Sequence, residues 1–87
     1  MANQKQLEFL KNGVPAWNKY LLENREFQKL KIDLKGADIE GACLNGAKLI
    51  GANLSGTNLS RANLNGVDLS FTNINGADLS GAKIEPF

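Results

Sequence analysis

Residues 36 to 85 read GADIE GACLN GAKLI GANLS GTNLS RANLN GVDLS FTNIN GADLS GAKIE, one unit every five residues. A fixed period over most of a chain implies stacked units that share one continuous core. The large apolar residue of each unit marks its centre: Leu34, Ile39, Leu44, Leu49, Leu54, Leu59, Leu64, Leu69, Ile74, Leu79 and Ile84. On an α-helix a five-residue step turns about 500°, so these centres would spread around the cylinder. On one long strand they would alternate between faces. Neither element fits.

Within a unit, a small residue stands two positions before the centre: Ala37, Ala42, Ala47, Ala52, Ala62, Ala77 and Ala82, with Ile32, Thr57, Val67 and Thr72 as variants. A spacing of two puts the pair on one face of a short extended segment. The other three residues turn a corner. Gly ends eight of the eleven units, where positive φ is needed, and Asn or Asp before the centre bonds to nearby backbone. Each unit is a side plus a corner, with one large and one small side chain pointing in.

Periodicity alone leaves the number of sides per turn open. Residues 32 to 86 resemble the pentapeptide-repeat family, whose units run small residue, Asn or Asp, Leu or Phe, small polar residue, and often Gly. The resemblance implies an all-β solenoid, a right-handed quadrilateral β-helix with four units per coil. Eleven units then make about 2.75 coils, roughly 13 Å long at about 4.8 Å between strands. Stacking every twenty residues predicts columns: Leu34 with Leu54 and Ile74, Ile39 with Leu59 and Leu79, Leu44 with Leu64 and Ile84, Leu49 with Leu69. Lys48 is then expected over Asp68 as a solvated pair. Cys43, Lys48, Lys83, Ile50, Arg61 and Phe71 depart from the family pattern, all at positions expected to face outward.

The first 31 residues follow another grammar, and the division expected is a helical N-terminal cap over 1–31 and a repeat β-helix over 32–87, folding as one unit. Asn3 with Gln6 three residues on signals a helix start, with Leu7 and Leu10 on one face and Gly13 as a stop. Pro15 suits the first turn of a second helix whose apolar face is Trp17, Tyr20 and Leu21 and which ends at Asn24. Phe27 and Leu30 lead into the repeats, and Lys29 at a centre position degrades the unit there. The string GVPAWNKY resembles the GVxxWNxW segment before the repeats of some bacterial, especially cyanobacterial, members of that family, with Tyr20 for the second Trp. A solenoid end exposes strand edges and apolar side chains, which a cap covers. The other end is expected to lack a helix: Pro86 blocks further strand addition, and Leu79, Ile84 and Phe87 are the candidate end-to-end interface.

Eighty-seven residues at a formal charge of +1 make one small domain. Residues 1 to 31 carry six basic groups against three acidic ones, and residues 32 to 87 four against six, so neither part argues for nucleic acid or an anionic membrane. One cysteine, Cys43, excludes an internal disulfide and fits a reducing compartment. With no signal-like or membrane-spanning segment, a soluble cytoplasmic chain is expected. Asn53-Leu54-Ser55 and Asn58-Leu59-Ser60 are glycosylation sequons only by accident of the repeat.

The chain has no histidine, and Asp33, Asp38, Asp68 and Asp78 are repeat positions on a solvated wall. No catalytic, cofactor or metal site is expected. The outward apolar residues Ile50 and Phe71, diagonal neighbours on one corner, are the candidate protein-contact patch. The leading expectation is a noncatalytic scaffold that presents a rigid surface to a protein partner, as a monomer or a weak homodimer through its C-terminal end. Three alternatives remain: DNA mimicry against gyrase, as in long acidic members of the family; ice binding, which needs outward Thr or Ser rows; and an accessory domain of a larger enzyme.

Overall fold

The computed structural model describes residues 2–24 and 31–85. Phe27, Lys29, Leu30, Pro86 and Phe87 lie outside them, and so do the lead-in and strand-blocking roles expected of those residues. From Asp33 to Lys83 the chain is a β-helical solenoid whose bridges are all parallel and join residues twenty apart: Asp33 to Asn53 to Asn73, Asp38 to Asn58 to Asp78, Cys43 to Asn63 to Lys83, and Lys48 to Asp68. Each side is so short that it contributes a single bridged residue. Around Asn53, its N–H donates to Ile32 C=O (2.8 Å) and its C=O accepts from Leu34 N–H (2.9 Å).

The corners follow from residue type. Leu34 C=O accepts from Ala37 N–H (3.0 Å), a four-residue turn whose third residue, Gly36, has φ 70°. A left-handed residue at that place is the mark of a type II turn, and it recurs at every repeat glycine. Asp33, Asp38, Asn53, Asn58, Asn63, Asp68, Asn73 and Asp78 each accept from the N–H two residues on through Oδ1. This local bond is why Asn and Asp fill the position.

Arg61 and Phe71 take φ 59° and 60° without being glycine. Left-handed backbone costs about 1–2 kcal/mol for a residue with a Cβ. Gly46 has φ 72° and open space where a Cβ would stand, so Gly46→Ala is expected to destabilise by about 1 kcal/mol through backbone strain alone. Phe71→Gly is expected to leave stability unchanged or raise it. Chemical denaturation of the two variants checks both signs.

The centres Leu34, Ile39, Leu44, Leu49, Leu54, Leu59 and Leu64 are buried, and so are Ala37, Ala47, Ala52 and Ala62. Thr57 is buried too, which its hydroxyl tolerates by donating to Leu34 C=O (2.7 Å). The core then opens toward the last turn. Ile74 and Ile84 are 44% and 48% exposed, because no further described coil covers them.

Two helices, α1 (Gln4–Lys11) and α2 (Val14–Asn24), precede the stack. Asn3 Oδ1 accepts from Gln6 N–H (3.1 Å) and starts α1. The reciprocal half of a capping box is not made, since the Gln6 side chain turns to the solenoid instead. Gly13, at φ 113°, separates the helices, and Pro15 lies in the first turn of α2 as expected. Leu7, Leu10, Trp17 and Tyr20 join the same apolar cluster as the repeat centres, with Leu21 and Phe9 packed at its margin. Phe9 stacks on Tyr20 with ring centroids 4.6 Å apart.

Candidate functional site

The outer surface carries the residues that break the repeat. Ile50 is 51% exposed and Phe71 92% exposed. Both sit at one corner of the stack, where Gly51 N–H donates to Ser70 C=O (2.8 Å) and places residues 50 and 51 against 70 and 71. Leu22, on α2, is a further exposed apolar side chain that the sequence did not single out. Cys43 is exposed, with a free thiol.

Charged groups on this surface act locally. Lys48 is bridged to Asp68 through the backbone, but their side chains do not pair: Asp68 instead accepts from Ser70 Oγ (2.6 Å) and Ser70 N–H (2.9 Å). The ion pair found among the described residues is Arg61 to Glu40, at 3.6 Å and open to solvent. The long Arg61 side chain reaches across, whereas the short Asp68 carboxylate is already satisfied two residues away. Among the described residues no three His, Cys, Asp or Glu side chains converge so as to hold a metal.

Those Ser70 bonds, side chain first and backbone second, hold the Asp68 carboxyl below its ordinary 3.8, and Ser80 does the same for Asp78. A carboxylate depressed in the folded state contributes stability above its unfolded value, lost as pH falls through the folded one. Ser70→Ala is accordingly expected to raise the Asp68 titration midpoint toward 3.8 while leaving Asp78 in place, read by NMR of the two side chains. An unmoved Asp68 midpoint would remove the assigned cause.

At the N-terminal end the leader meets the first coil through polar side chains that the sequence did not reveal. Gln6 and Asn18 each turn an amide to the backbone of the coil, and Trp17 Nε1 donates to Lys48 C=O (2.9 Å). Beside them an open groove of about 670 Å³ runs between the end of α1 and the stretch from Asp38 to Leu44. At the opposite end Leu79 is half-buried and Ile84 exposed; Phe87, the third residue expected there, lies outside the described residues. No described helix is long and apolar enough to cross a membrane.

Comparison with known proteins accounts for the repeat. Pentapeptide repeats match residues 42–81 in 8 copies. The crystal structure of a pentapeptide repeat protein from the cyanobacterium Cyanothece 51142 is similar at 43% identity and a TM-score of 0.60, covering 61% of this chain and 36% of that one. No curated protein matches the chain.

Proposed function

Since the chain, through residues 42–81, belongs to the pentapeptide-repeat family, we propose that it is a noncatalytic scaffold whose outer surface binds a protein partner in the cytoplasm. In this reading residues 32–87 form right-handed, four-sided coils, about 2.75 of them. Residues 1–31 cap one end through Leu7, Leu10, Trp17, Tyr20 and Leu21. The repeat positions carry structure, and the departures carry recognition.

The observation that supports this reading best is Phe71. It is a 92% exposed aromatic at φ 60°, at a corner position that glycine fills in most units and Arg61 in one other, and Ile50 stands diagonal to it. A strained backbone and a solvated ring together disfavour the residue for stability alone, which is what a contact residue looks like. The test compares proteins captured from a lysate by the chain and by its Phe71→Gly variant. Loss of specific partners from a variant with unchanged melting supports the reading; identical capture rejects it.

DNA mimicry is the alternative from another class. A mimic needs continuous rows of carboxylates, but only the column of Asp38, Asn58 and Asp78 carries two, and Lys48 and Lys83 interrupt others. Inhibition of gyrase supercoiling by excess protein would reverse this ranking. Ice binding finds less support, because Thr57 is buried in the core. Because this chain covers 36% of its structural neighbour, a role as part of a larger protein also stands as a proposal. Pairing of two copies through Leu79, Ile84 and Phe87 is supported by exposed Ile74 and Ile84. Light scattering over a concentration series tests that pairing, a constant mass near 9.4 kDa rejecting it.

A further inference from the structure

Four Asn-Gly pairs occur in the chain: Asn12-Gly13, Asn45-Gly46, Asn65-Gly66 and Asn75-Gly76. Asparagine before glycine is open to attack by its own main chain, because glycine has no side chain to keep the following nitrogen away from the amide carbon. Structure decides which pair reacts. The nitrogen must lose its proton and swing onto Cγ, so a glycine N–H that is already bonded must give up that bond first.

Three of the pairs occupy the same type II corner. Leu44, Leu64 and Ile74 C=O accept from Ala47, Val67 and Ala77 N–H at 2.9, 3.1 and 3.0 Å, and Gly46, Gly66 and Gly76 have φ 72°, 75° and 73°. They differ in what the next coil offers. Gly46 N–H donates to Asn65 C=O (3.1 Å) and Gly66 N–H to Glu85 C=O (3.4 Å), whereas Gly76 N–H has no acceptor among the described residues. The Asn65 side chain is held besides, its Oδ1 accepting from Glu85 N–H (3.0 Å). In the leader, Gly13 N–H donates to Leu10 C=O (3.1 Å). Asn75 and Gly76 are both exposed.

We propose that Asn75-Gly76 is a self-modification site, where the folded chain deamidates ahead of its other three Asn-Gly pairs. Hydroxide takes the Gly76 N–H proton, the nitrogen lone pair forms a bond to Asn75 Cγ, and the Cγ–Nδ2 bond breaks. The leaving nitrogen takes its proton from water, which releases ammonia and restores hydroxide. Water then opens the cyclic imide. Opening at Cγ leaves aspartate, and opening at the main-chain carbonyl leaves isoaspartate, with the chain running through Cβ and Cγ. Either product takes the formal net charge from +1 to zero. Isoaspartate also lengthens the main chain inside the turn from Ile74 to Ala77 and displaces the carbonyl that accepts from Gly56 N–H (2.9 Å). The side carrying Ile74 then loosens, and Leu54, buried before it in the column, loses cover. This site goes beyond the scaffold reading and does not depend on it.

The test incubates the full chain at mildly alkaline pH, folded and in guanidinium, and follows its tryptic peptides by mass spectrometry. Residues 62–83 form one peptide with both Asn65 and Asn75, so fragmentation assigns the conversion between them. In the folded chain Asn75 is expected to convert at least about ten-fold faster than Asn12, Asn45 or Asn65, each of which must first open a bonded glycine N–H. In guanidinium that lead is expected to vanish. Another pair converting first in the folded chain, the same lead in guanidinium, or an unconverted Asn75 where the unfolded chain converts would overturn the proposal. Asn75→Ser, which places there the residue that precedes Gly56 and Gly81, is expected to remove the first acidic species that ion exchange separates from the aged parent. The isoaspartyl fraction of that species is expected to melt below the fresh chain, and Asn75→Asp to melt with it unchanged. Equal losses in the two would overturn the role given to the rerouted main chain and assign the effect to charge.

Discussion

Leu59→Ala is expected to lower stability by about 2–5 kcal/mol, read as a shift of the denaturant midpoint with little change in slope. Leu59 is buried mid-column, with Ile39 before it and Leu79 after it in the register of the Asp38, Asn58 and Asp78 bridges. Main-chain bonds on both sides hold that spacing: Ile39 N–H to Asn58 C=O at 3.0 Å and Leu59 N–H to Asp78 C=O at 2.8 Å. The stack therefore cannot close over the missing side chain, and the upper part of the range applies. Lys48→Ala, on the exposed wall and without a side-chain ion partner among the described residues, is expected to change stability by less than about 1 kcal/mol. Ile84→Ala should fall between the two, because Ile84 is already 48% exposed. Equal losses at Leu59 and Lys48 would mean that inward and outward positions are exchanged.

The inside of the solenoid was legible in the sequence because each unit specifies itself. A centre, a small residue two before it and a glycine that must turn left are local requirements, and the twenty-residue register satisfies all of them at once. Thr57 was legible as inward for the same reason. What could not be read concerns groups whose partners are remote in the chain. Gln6, read as half of a capping box, spends its amide 25 and 27 residues away, on Lys31 and Asp33. Asn18, with no signal of its own, finds Lys48. The expected Lys48 and Asp68 pair failed through a local competitor, Ser70, whose hydroxyl reaches the carboxylate more cheaply than a long side chain can be ordered. Ile50 and Phe71 stood out as departures from a pattern. The groove beside Asp38 and Cys43 did not, since its walls, the end of α1 and the stretch from Asp38 to Leu44, are remote from each other in the chain.

Removing residues 1 to 30 is expected to leave a chain that aggregates or is unfolded where the full chain is folded. The deletion uncovers the apolar cluster from the side of Leu7, Leu10, Trp17 and Tyr20, and it frees the N–H groups of Asp33 and Lys48 on an edge open to other chains. At this size the loss is a large share of all the apolar burial the fold achieves. Two effects are mixed in that result, and Gln6→Leu separates them. It keeps the apolar cover of α1 but strips the buried amide from Asp33 N–H and Lys31 C=O, which is expected to cost about 1–3 kcal/mol with the fold retained. If the truncated chain stays monomeric with an unchanged melting temperature, the leader does not cap the stack. If it fails while Gln6→Leu melts with the parent, apolar cover alone closes this end, and the amide pattern on its two shielded sides contributes no stability.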